Sequence, residues 1–97
     1  MLLWHASPYS NIESILNNGL LTSNGKLFFA DKVDSAVLFV YMKGEKHIVA
    51  FPVEFTEEEV KESFDHNVDT FKCRCFSVTK NIPYSRIIED EIMKYEL

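Results

Sequence analysis

A histidine, a serine and two cysteines are the groups in this chain whose spacing could do chemistry, and they fall at two places. His5 and Ser7 stand near the start, directly after the apolar run Leu2-Leu3-Trp4, and Cys73 and Cys75 stand in the last third. On a strand, residues two apart share a face. A histidine closing a strand is most simply an ordinary surface or core residue. Trp4, Ser7, the helical pattern that follows and Gly19 make His5 a functional candidate. Cys73 as a nucleophile needs a base and a lowered pKa. Lys72 and Arg74 flank it, but on a strand they point to the opposite face. Zinc wants four ligands, usually including two cysteines separated by two residues. His47 and His66 offer no matching register, so no metal is expected. Bridging Cys73 to Cys75 would strain the backbone, and two reduced thiols are the plain reading. Phe28, Phe29 and Phe39 are of the type that fills cores, and a core-facing ring can still line a pocket.

The elements that must position these groups follow from periodicity and caps. Leu2 to His5 reads as a short strand, broken at Ser7-Pro8-Tyr9. Ser10 and Glu13 have the spacing of a capping box, Ile12, Ile15 and Leu16 follow at helical spacing, and Gly19 ends a helix over 11–18. Lys26 to Ala30 reads as a strand. Asp31 is a good N-cap for a mostly buried helix over 32–43, closed by Gly44. His47 to Phe55 is β-rich, and Pro52 within it points to an edge or a bulge. Thr56 and Glu59 form a second capping box, opening a short acidic helix to about residue 63. Its glutamates make a solvated face, or an acidic surface for a basic partner. A loop over Phe64 to Asp69 leads to a long strand over Thr70 to Thr79. The tail is helical, with Ile88, Ile92 and Tyr95 near one face, or begins as a strand.

Short, uneven connections between strands and helices imply an α+β domain, with a small mixed or antiparallel sheet carrying short helices. The 97 residues suffice for one domain spanning 1–97. Hydrophobic residues make up 46% and charged residues 26%, a globular composition. The net charge is −5 and no basic block exceeds two residues, so a phosphate-tracking nucleic-acid surface is disfavoured. The longest apolar run, Ala36 to Met42, is far short of a bilayer span, so no membrane partner is expected. The N-terminus lacks the charged region and long apolar run of a signal peptide, which makes the cytoplasm the expected location.

Three stretches together resemble the catalytic domain of the poly(ADP-ribose) polymerase branch of the ADP-ribosyltransferases. Leu3-Trp4-His5-Ala6-Ser7, followed by Ile15-Leu16 and Gly19-Leu20, is similar to the family's first strand and short helix. Leu27-Phe28-Phe29-Ala30-Asp31, followed by Ser35-Ala36 and Phe39, is similar to its next strand and helix. Cys73 to Ile87 resembles its late strand and the turn after it. The resemblance implies an ADP-ribosyltransferase-like fold with split sheets, and a cleft between them that takes NAD as substrate, without metal. His5 would bond a ribose hydroxyl. The backbone of Ala6, where the family usually has Gly, and the hydroxyl of Ser7 would meet the nicotinamide amide. Phe28 and Phe39 would wall the ring, as Tyr does in many members. The family's catalytic Glu falls near Cys73, and none of Lys72, Cys73, Arg74 and Cys75 is a carboxylate; Asp69 and Asp65 are the nearest acids.

Two functions follow. One is an NAD-dependent mono-ADP-ribosyltransferase acting on an unknown acceptor, a protein more readily than a nucleic acid, with His5 and Cys73 at the catalytic positions. The other is a catalytically inactive module that binds NAD, ADP-ribose or a protein partner, for example an inhibitor in bacterial or viral conflict. A plain interaction module would leave His5 and Phe28 facing no common cleft.

Overall fold

Alternating side chains give the first strand two dissimilar faces. In the computed structural model, which describes residues 1–64 and 72–97, β1 spans Leu2–Pro8. It sends Leu3, His5 and Ser7 to one face of a sheet and Trp4 and Ala6 to the other. The chain then makes a short 3-10 turn and enters α1 (Ile12–Asn18), β2 (Leu27–Ala30), α2 (Val33–Tyr41) and β3 (His47–Glu54). β4 (Lys61–Ser63), β5 (Cys75–Val78) and β6 (Met93–Glu96) follow.

These strands form one six-stranded sheet in the order β4-β5-β2-β1-β3-β6, antiparallel throughout. The fold is a small α+β domain with two short helices. One continuous sheet replaces the split sheets expected from the sequence, and none of its pairs is parallel. Its joints are nevertheless unequal. β1 and β3 pair from Leu2 opposite Glu54 to Pro8 opposite Ile48, whereas β1 and β2 meet only where Trp4 faces Ala30.

On one face Leu3, Phe29, Phe51, Phe55 and Phe76 pack with Ile15 of α1 into the larger core. Burying each such side chain contributes about 1.5–3 kcal/mol. α2 covers the other face, where Val37 and Val40 rest on Ile48 and Ala50, and Ala36 rests on Ala30 and Cys75. The seat of α1 is set by Gly19. Its φ of 73° and its approach to the Ile82 carbonyl leave no room for a Cβ. There Leu20 exchanges both backbone hydrogen bonds with Ile82.

Several local expectations are corrected. β1 runs on through Ser7 to Pro8. α1 starts at Ile12 without a side-chain cap, so the Ser10–Glu13 box does not form. α2 is capped at Lys32, also without a side-chain bond, because the Asp31 carboxylate accepts from the Arg74 backbone N–H at 2.9 Å. The Thr56–Glu59 box does form, with the Thr56 N–H donating to Glu59 at 3.0 Å. It opens only a 3-10 turn over Glu57–Glu59, and β4 replaces the acidic helix. Two of its glutamates are paired rather than merely solvated, Glu59 with Arg86 and Glu62 with Arg74.

Pro52 sits within β3, between β1 and β6, and not on an outer strand. The Ile88 N–H donates to the Pro52 carbonyl. Both backbone groups of a strand residue point the same way, so the missing N–H faces away from β1, beyond the end of the β6 ladder at Ala50. The expected strand over Thr70–Thr79 is shorter, covering Cys75–Val78, after a left-handed Lys72 (φ 48°) and a bend at Cys73. Residues 70 and 71 of that expectation, residues 65–69 of the loop expected over Phe64 to Asp69, and with them Asp65, His66 and Asp69, lie outside the described residues. The tail is a 3-10 turn over Glu89–Glu91 and then a strand.

Candidate functional site

The site begins where β1 and β2 part. Beyond Trp4–Ala30 the two strands no longer share a ladder. The Phe28 carbonyl, turned toward β1, is met instead by the His5 ring, with Nδ1 2.8 Å from the oxygen. A carbonyl only accepts, so Nδ1 carries the proton and donates. In the neutral ring Nε2 is then an acceptor, and no described residue bonds it. Burial holds His5 below its usual value of 6.5, the Phe28 bond opposes this, and the Lys43 ammonium adds to the lowering. The ring also leans on Phe29, with centroids 5.5 Å apart.

The parted strands open a cleft of about 840 Å3, within the range of small-molecule sites. His5 and Ala6 line it from β1, Phe28 and Ala30 from β2, and Ala36 and Phe39 from α2. Helical spacing explains the α2 contribution: Ala36, Phe39, Val40 and Lys43 recur at three- and four-residue steps, so one stripe faces the gap. Small side chains on the sheet beneath keep the space open. Phe28 is 52% exposed despite its size, because its ring lies on the cleft wall.

The proposed site residues therefore do not all converge. His5, Ala6, Phe28 and Phe39 share the cleft. Ser7 points to the α1 face and is 6% exposed; its hydroxyl accepts from Asn11 Nδ2 at 2.8 Å. It lines a second, smaller cavity of about 170 Å3 with His5, Asn11 and Ser14. His5 is the wall common to both spaces. Cys73 and Phe39 pack against the same cluster of Ala30, Ala36 and Cys75, and the Cys73 Sγ lies 3.7 Å from Cys75 Sγ, but Cys75 is the cysteine that lines the cleft. Burial, helped by the Cys73 contact, pushes the Cys75 thiol up to about 12, so it is protonated near neutrality.

Lys26, Lys43 and Cys75 are cleft residues that the sequence reading missed. Lys43 had a signal, since it lies one helical turn beyond Phe39. Lys26 comes from the Ser23–Lys26 turn, whose course only the folded chain shows. Among the described residues no Asp or Glu lines the cleft, and no group of three or more His, Cys, Asp or Glu could hold a metal ion. No described helix is long and apolar enough to cross a membrane. No protein-family model matches this chain, and no curated protein matches it.

Proposed function

We propose that this chain is an ADP-ribosyltransferase-like module that holds an ADP-ribose-containing nucleotide, of the NAD type, in the cleft beside His5. One observation carries the reading. The His5 ring is pinned through Nδ1 to the Phe28 backbone, which leaves Nε2 as an acceptor that no described residue bonds, and His5 shares the lining of one cleft with Phe28 and Phe39. A ribose hydroxyl donates to Nε2, and a flat ring packs against the phenylalanines. The Ala6 backbone lies on the same wall.

Titration calorimetry of the intact chain with NAD and with ADP-ribose tests this. Binding should be weakened about tenfold or more in His5→Ala, the cost of one hydrogen bond to a positioned polar group, and weakened again in Phe39→Ala. Absence of heat with both ligands on the wild-type chain would sink the reading.

Transfer of a single ADP-ribose unit to a protein acceptor is the catalytic form of the same reading. The orientation of a ribose by His5 favours it. Against it stands the charge of the described lining, which offers no carboxylate to a developing oxocarbenium ion. Incubation with labelled NAD and cell lysate should show label on protein that His5→Ala abolishes. Binding without transfer leaves the nucleotide-binding module.

A further inference from the structure

The titratable side chains described around the cleft are His5, Lys26, Lys43 and Cys75. Two are ammonium cations. His5 is held neutral by burial, and so is the buried Cys75 thiol. The chain as a whole has the opposite balance, with 15 Asp and Glu against 10 Lys and Arg. Neither Lys26 nor Lys43 forms a salt bridge among the described residues, so their charge is available to a ligand. Lys43 lines the same cleft as His5, and its charge adds to the lowering of the His5 pKa.

Such a wall attracts phosphate and repels a second cation. Oxidised NAD carries a positive pyridinium ring, whereas NADH has an uncharged dihydropyridine and ADP-ribose has no ring at that end. Resting on the nucleotide reading above, we infer that the cleft discriminates by the charge of the ligand's distal group. It takes ADP-ribose-type diphosphates whose far end is uncharged, in preference to oxidised NAD. The Phe28 and Phe39 rings oppose this selectivity, because an aromatic face attracts a cation. Lys26 and Lys43 are the groups that decide it, and they are the residues to change.

The experiment is calorimetry of the full chain at pH 7.5 and low salt, with ADP-ribose, NADH and NAD as separate titrants. ADP-ribose and NADH should each bind about fivefold more tightly than NAD, the scale of one charge–charge interaction in a partly hydrated cleft at low salt. The double variant Lys26→Gln, Lys43→Gln should bind all three more weakly and bring the ratios below about twofold. Both lysines are exposed, and circular dichroism confirms that the variant is folded. NAD binding as tightly as the other two overturns the inference, as does a preference that survives unchanged in the double variant. Binding of none of the three overturns the nucleotide reading itself, a separate result.

Discussion

The two faces of the sheet are made from different side chains. The α1 face stacks Phe29, Phe51, Phe55 and Phe76 with Leu3, Val49 and Val53, all buried. Phe29 and Phe55 meet edge to face with centroids 5.0 Å apart. The α2 face carries Ala6, Ala30, Ala50 and Cys75 beside Trp4, Ile48 and Tyr95, against Ala36, Val37 and Val40. Large rings fill the first face, and on the second the small side chains Ala6, Ala30 and Ala36 line the cleft. The filled core and the cleft therefore lie on opposite sides of one sheet, and His5 belongs to both, with its ring on Phe29 and a place in the cleft lining.

Truncation on the filled face should have the largest effect. Phe29→Ala removes a ring that touches both His5 and Phe55, and should cost about 3–5 kcal/mol in urea unfolding. A loss below about 1 kcal/mol would mean that the face is not close-packed. Gly19→Ala comes next, at roughly 1–3 kcal/mol, because a methyl meets the Ile82 backbone at a positive φ. This substitution leaves the cleft's aromatic walls untouched, so near-neutral behaviour would show that α1 is not seated by that contact.

A smaller effect is expected from pH. The folded His5 pKa lies below its ordinary 6.5, so the unfolded chain takes up more protons in between. This contribution is complete above 6.5 and declines as pH falls through 6.5 toward the folded value. The urea midpoint should therefore drop between pH 7.5 and 5, and His5→Gln should flatten that part of the profile. Glu59 acts in a lower window. Arg86 holds its carboxyl at about 2 against 4.5, so its share fades only as pH falls from about 4.5 toward 2. An unchanged profile in His5→Gln would remove His5 from the link between the faces.

Phe28→Ala should have the smallest effect on stability, within about 0.5 kcal/mol, because half of the ring already meets water. Nucleotide binding in the same variant should fall. A Phe28→Ala chain as destabilised as Phe29→Ala would erase the contrast between two neighbours on one strand.

Much of this fold is legible in the residues. An apolar run marks β1, a β-rich run marks β3, helical spacing marks α1 and α2, and Gly19 stops α1 with a positive φ, whereas α2 ends at Tyr41, short of the expected residue 43 and of Gly44. Local signals failed where a distant partner took the group they depend on. Asp31 caps nothing because Arg74 claims its carboxylate. The acidic run after Thr56 turns into β4, because Lys61 to Ser63 find the free edge of β5. The late strand stops short where Lys72 turns left-handed.

The sequence by itself determined the helical spacing of α1 and α2, the stop of α1 at Gly19 and the apolar run that carries His5. These depend on neighbours in the chain, which act at any stage of folding. Tertiary structure alone decided which face each candidate serves. Strand pairing turned Ser7 away from Phe39 and put Cys75 in the cleft in place of Cys73. It also parted β1 from β2, so that a histidine ring rather than a backbone N–H meets the Phe28 carbonyl. That exchange of partners fixes the His5 tautomer, and it arises between residues 23 positions apart in the chain.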